Sequence, residues 1–221
     1  MLKKSLLALF LVTLIMTGAF AQVQMSAGGG LSYTSAFDGG YKVSVPDYES
    51  EENEMPYMGI SIFGFFDIKF VELSFSYFFG EINFKKTGPQ KGNSVDFNIV
   101  SYNIGLLGKY PVQLGEKFTI FPAVGFEGYI VESARSGSVS ISDALDFSHL
   151  WIKFGAGFDI SFNEKIFLRA TALYGIRLPC KVEDDLIALE KAALALTGIK
   201  ATVDPIMGHG FQVKLAVGFH P

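Results

Sequence analysis

Between residues 150 and 162 every second position is apolar: Leu150, Ile152, Phe154, Ala156, Phe158, Ile160 and Phe162. Trp151, Lys153, Gly155, Gly157, Asp159 and Ser161 fill the gaps. Strict alternation over this length predicts a strand with two unlike faces. Seven further segments share the period: residues 23–33, 58–68, 71–79, 95–110, 118–130, 166–178 and 211–219. The fourth slips phase at Ile99-Val100, which predicts a bulge. Links near Ile68-Lys69 and at Asn163–Lys165 are short, and residues 111–117 form a longer turn. Residues 35–56, 81–94, 132–148 and 179–209 are long links.

One face of these strands is apolar. The other carries mostly Gly, Ser and Ala, with Glu72, Glu127, Lys153, Asp159, Arg169, Arg177 and Lys214 among them. Asp67 and Lys109 share that second face, as do Phe63, Phe65, Phe78, Phe121, Trp151 and Phe167. A water-facing strand seldom holds so much glycine, because glycine weakens a strand unless something needs the room. The narrow interior of an eight-stranded barrel needs it. Turning the second face to lipid would cost ~2–4 kcal/mol for each basic residue near the midplane. A 13-residue strand spans ~43 Å, and a tilt of ~40° leaves about 33 Å of rise against an apolar band of ~25 Å. The expected fold is all-β, an eight-stranded antiparallel up-and-down transmembrane barrel. Its polar face is inside, its long loops external, and both chain ends lie on the short-turn side. A soluble lipocalin-like barrel is the structural alternative. Tyr33, Tyr57, Tyr77, Tyr102, Tyr110 and Tyr174 are expected in interfacial aromatic girdles.

Composition supports this reading. The chain has 221 residues with 22 Phe and nine Tyr spread along it. After residue 21 no apolar run is long enough for a membrane-spanning helix. Lys3 and Lys4, an apolar stretch of ~12 residues and Ala19-Phe20-Ala21 read as a signal peptide over residues 1–21, cleaved before Gln22. Residues 22–221 are then the barrel domain. Losing two lysines takes the net charge from −4 to −6, so a basic footprint for nucleic acid is absent. A lone Cys180 allows no intrachain disulfide.

The terminal pattern Phe211, Val213, Leu215, Val217, Phe219, with the signal, eight strands and alternating loop lengths, resembles the small eight-stranded outer-membrane barrels of the OmpA, OmpX and OmpW type. The resemblance implies a bacterial outer-membrane location, contact with membrane lipid and with the barrel-assembly machinery, and a monomer. That family usually ends on an aromatic residue, whereas His220 and Pro221 follow Phe219 here. A lipid-modifying esterase of the PagL kind would show His-x-Ser on a strand. The matching positions read His149-Leu150-Trp151 and His209-Gly210-Phe211. No catalytic set, metal spacing or cofactor motif is expected.

Strand parity gives the register of the sixth and seventh strands. Paired residues share a face, so their numbers sum to an even value. A three-residue turn at Asn163–Lys165 makes that sum 328, from which follow an Asp159–Arg169 ion pair and a Trp151–Arg177 cation–π contact. Glu127 and Lys153, at similar depth on neighbouring strands, are expected to pair. Such a stack fills the lumen and leaves no continuous water channel.

The loops carry the remaining signals. Asp47, Glu49, Glu51, Glu52 and Glu54 form an acidic run, and Lys85, Lys86 and Lys91 make the next loop basic, so the two are expected to attract. Residues 182–197 have helical spacing, with an acidic start and Gly198 as a stop. Leu186, Leu189 and Ala193 are expected to face the barrel rim. The helix then packs on its own barrel mouth, or serves as a lid, partner or lipid contact. The expected role is envelope structure or surface interaction through the external loops, toward an extracellular protein or small molecule the sequence does not name. The alternatives are a narrow channel for small or apolar solutes and a lipid-modifying enzyme.

Overall fold

The computed structural model describes residues 25–37, 39–44, 51–87, 95–137, 139–140, 144–197 and 202–221. The signal segment 1–21 and Asp47, Glu49 and Lys91 lie outside the described residues. Eight strands form the barrel: β1 Met25–Ala36, β2 Tyr57–Ile68, β3 Val71–Thr87, β4 Val95–Lys109, β5 Phe118–Ser136, β6 His149–Ser161, β7 Ile166–Arg177 and β8 Gly208–Phe219. Each pairs antiparallel with its chain neighbours, and β1 pairs with β8, which closes the sheet.

The barrel is turned inside out relative to a soluble one. Leu31 and Ile62 are 62% exposed and Val124 60% on the outer surface. Lys153 is 1% exposed, and Arg169, Glu127 and Glu72 are buried with it. The ionisable residues share the interior with aromatic rings and small residues. Gly218 lies under the Phe167 ring and Gly59 under the Phe78 ring, where an added Cβ would collide with each. This close approach accounts for the glycine on the inward face.

The turns set the register. Lys69 takes a left-handed conformation (φ 47°) in the two-residue link between β2 and β3. At the β6–β7 turn, Phe162 N donates to Ile166 O (2.9 Å) and leaves residues 163–165 as the loop. Asn163 Oδ1 accepts from the backbone N–H groups of Lys165 and Ile166 (2.9 and 2.8 Å). Asp159 therefore sits opposite Arg169, and Trp151 opposite Arg177, as parity predicts. The bulge falls between Val100 and Ser101, and the extra residue is Glu132 on the partner strand β5.

Girdles form at both ends of the apolar band. Tyr33 and Phe37 pack on Phe211, and Phe154 packs on Tyr174. At the other end Phe70 stacks on Tyr110, and Phe118 meets Phe158. Tyr57 departs from the sequence expectation. It is buried inside the barrel, stacked on Phe78 with ring centroids 5.0 Å apart. Position 57 has the inward parity of Gly59 and Ser61, so the pleat rather than the aromatic character placed it.

Beyond the membrane band the long loops build a second sheet. Thr202–Ile206 pairs with Gly40–Ser44, that strand with Glu51–Glu54, and this with the upper end of β3. In backbone register Glu54 is paired with Lys85 and Asn53 with Lys86, so part of the acidic run and part of the basic stretch are strands of one ladder. Helix α1 spans Lys181–Thr197. Its Ile187 is buried with Val43 and Val203 beneath this canopy. Leu189 is 68% exposed, which corrects its expected rim-facing role. The side chains of Leu186 and Ala193 lie outside the described residues.

Candidate functional site: the filled lumen

Period-two alternation on eight strands aims a column of polar and aromatic side chains at one axis. They assemble into layers. Nearest the short turns is a five-membered ionic cluster. Arg169 donates from Nε and Nη2 to the two oxygens of Asp159, both at 2.7 Å. Its Nη1 reaches across the lumen to Glu72 on β3 (2.9 Å) and Asp67 on β2 (2.7 Å). Lys109 of β4 joins from another side, 2.6 Å from Asp67 and 3.8 Å from Glu72. The Arg169 guanidinium also lies over the rings of Phe65, Phe167 and Phe121, at 4.5–5.2 Å.

An apolar collar surrounds and follows it. Phe63, Phe65, Phe167 and Ala216 form one cluster, and Leu107, Phe121, Ala123 and Leu173 another.

Above the collar lies the second ionic cluster. Lys153 donates to Glu127 Oε2 (2.7 Å) and to Gln212 Oε1 on the far side (3.0 Å). The Gln212 amide donates to Thr34 (3.2 Å) and to Glu127 Oε1 (3.3 Å). Lys214 lies 3.6 Å from Glu127 and over the Phe63 ring. The expected Glu127–Lys153 pair is therefore in place. Trp151 sits opposite Arg177 in register, and the Lys153 ammonium lies 5.4 Å from its ring centroid. The Arg177 guanidinium packs against Gly39.

Toward the external loops lies an apolar and aromatic layer. His149 stacks on Tyr129 (4.9 Å) and meets Tyr57 edge-on (5.2 Å). Its Nδ1 lies 2.9 Å from the Phe147 carbonyl. The 3₁₀ turn Ala144–Phe147 buries Ala144 and Phe147 in the cluster that holds Met55, Tyr57, Phe78, Tyr129 and Trp151.

Of the residues expected in the lumen network, Glu72, Asp159 and Arg169 join the first cluster, and Glu127, Lys153 and Lys214 the second, with Trp151 above it. The expected network omits Asp67, Lys109, Gln212, Thr34 and Tyr129. Asp67 and Lys109 stand on the inward face in sequence, so parity was the available signal. Their pairing crosses from β2 to β4, which no local register encodes.

A model of the outer membrane protein beta-barrel domain matches residues 6–189. The chain belongs to that family. Two of the solved structures that this outer-membrane barrel is similar to share little sequence with it. The outer membrane protein OprG from Pseudomonas aeruginosa is 8% identical, with a TM-score of 0.49, over 89% of this chain and 95% of that one. Neisserial surface protein A is 12% identical, with a TM-score of 0.47, over 89% and 97%. No curated protein matches the sequence.

Proposed function

We propose that this outer-membrane barrel is a sealed, monomeric scaffold in the bacterial outer membrane that displays its canopy for envelope structure or surface interaction. The observation that carries the reading is Lys153. Its ammonium is packed in mid-lumen between Glu127, Gln212 and the rings of Tyr129 and Trp151. A conducting pore would hydrate such a group, and here carboxylate, amide and rings occupy its shell. Apolar clusters flank it toward the short turns and toward the loops, which supports a lumen without a water column. His149 fits a packing role, enclosed by two tyrosine rings with Nδ1 on a backbone carbonyl. The surrounding partners are membrane lipid and, during biogenesis, the assembly machinery. The canopy presents the surface for an extracellular protein or small molecule.

Two measurements test this. The refolded protein in planar bilayers should give no steady single-channel conductance. Stable, large openings would instead establish the channel reading. In intact cells, epitope tags at Glu52 and Lys191 should be labelled from outside, whereas a tag at Glu164 should be protected until the outer membrane is permeabilised. External labelling at Glu164 would invert the orientation.

A further inference from the structure

The bulge on β5 turns a carboxylate toward lipid. Val131 pairs with Ser101 inside the barrel, and Ala134 pairs with Ile99 inside it again. Between them Glu132 and Ser133 stand together on the outer face, opposite Val100. A bulge re-aims a side chain in this way. The outward apolar run of β5 extends from Phe118 to Ile130. At ~3.3 Å per residue and a tilt of ~40° it rises about 30 Å, against an apolar band of ~25 Å. Glu132 therefore emerges at headgroup level on the loop side of the membrane.

The carboxylate does not extend toward the loops. It leans across β4, and the Tyr77 hydroxyl on β3 donates to Glu132 Oε2 at 3.4 Å. Tyr102, paired with Tyr77, interacts with the same carboxylate. Glu132 is exposed, and an ionised carboxylate accepts about four hydrogen bonds, so acceptor capacity remains beside the tyrosine oxygens. The rings pack on one another, with the Tyr77 centroid 5.0 Å from that of Tyr102 and 4.8 Å from that of Phe79. Rings in mutual contact do not make the open aromatic cage that surrounds a quaternary ammonium. What they offer is oxygen. The next row toward the loops holds one charge of each sign, Glu81 and Arg135 on either side of Asn98. Glu132 thus leaves these two rows with one excess negative charge.

We propose that Glu132, Tyr77 and Tyr102 hold the headgroup of a phospholipid that ends in a primary ammonium. Its three N–H bonds find the carboxylate and the two phenol oxygens. The acyl chains run down the wall past Ile130, Phe126 and Val124, which are exposed on the same face. The ammonium is carried by a lipid because the cluster borders the hydrocarbon band, where a lysine of a soluble polypeptide would have to leave water.

The test uses the refolded full barrel in dodecyl maltoside micelles, titrated with dihexanoylphosphatidylethanolamine and followed by amide NMR. Saturable shifts are expected at Tyr77, Tyr102, Glu132 and Ser133. Dihexanoylphosphatidylcholine has the same chains and phosphate without an N–H, and should bind about tenfold more weakly, the loss of charge-assisted hydrogen bonds. Dihexanoylphosphatidylglycerol, which has no cation, should do no better. Glu132→Gln should weaken ethanolamine-lipid binding by a similar factor. Tyr77→Phe combined with Tyr102→Phe keeps both rings, removes both oxygens and should also weaken it severalfold. This double variant keeps the test decisive if Glu132→Gln fails to refold. Glu81→Gln removes a carboxylate one row away and should leave binding unchanged. Equal binding of the choline and ethanolamine lipids, or binding that survives Glu132→Gln, would overturn the proposal. So would n-propylammonium chloride that matches the lipid in affinity, since the site would then serve free ammonium ions. The lumen and its conductance do not enter this test, so its failure is distinct from failure of the sealed-barrel reading.

Discussion

Replacing Arg169 by leucine should produce one of the largest losses of stability available to a single substitution in this barrel. The guanidinium is the hub of the first ionic cluster, bonded to Asp159 twice and to Glu72 and Asp67 once each. Its side chain is 4% exposed, as is that of Glu72, so bulk water does little to screen the charges. Without it, three carboxylates keep only Lys109. Removing one partner of a buried pair costs roughly 3–5 kcal/mol, because the remaining charge stays buried without compensation. The expected result is a lower urea midpoint in micelles and a lower temperature for the folded-to-unfolded shift on gels. Arg169→Lys should recover only part of the loss, since a point charge cannot bond both Asp159 oxygens and reach β2 and β3 together. An Arg169→Leu barrel with an unchanged midpoint would mean that the cluster is not closed in solution.

Placing arginine at Val124 should also destabilise the protein, for the opposite reason. Val124 sits midway along the outward apolar run of β5, between Pro122 and Phe126, and 60% of it is exposed on the outer surface. A basic residue at that depth costs about 2–4 kcal/mol in a bilayer, and much less near an interface. Unfolding measured in lipid vesicles should show the loss. Glu116→Arg, in the turn before β5, should stay within about 0.5 kcal/mol of the parent, as surface changes usually do. If Val124→Arg were neutral in vesicles, the outer face would not be meeting hydrocarbon. The pair of variants therefore tests both sides of the wall, one charge that must remain inside and one that must stay out.

Much of the barrel was legible because a strand has a period of two, which one chain displays without knowledge of its neighbours. The eight strands, the inward set of Phe63, Phe65, Phe78, Phe121, Trp151 and Phe167, and the alternating loop lengths all follow from it. Parity and a three-residue turn also brought Asp159 to Arg169, because neighbouring strands joined by a short turn have few registers to choose from. Tyr57 follows the same parity, which outweighs its aromatic character and puts it inside against Phe78.

What lay further apart was decided by the closed barrel. Asp67 and Lys109 meet because wall curvature aims β2 and β4 at one axis, and Lys153 reaches Gln212 across the same axis. Alternation says which side a residue faces, not which residue stands across from it. Register likewise does not name every neighbour of a ring: Trp151 stands opposite Arg177, and the Lys153 ammonium also lies 5.4 Å from its ring centroid. The helix repeats the lesson. Residues 182–197 are apolar on several faces, so spacing predicted the helix without fixing its phase. Packing against Val43 and Val203 selected Ile187 and left Leu189 exposed. The canopy strands, short and polar, carry little periodicity of their own, and they become strands because the upper end of β3 offers Glu51–Glu54 an edge to pair with. Local period is written in the chain, whereas long-range partners and helix phase depend on surfaces that exist only once the barrel has closed.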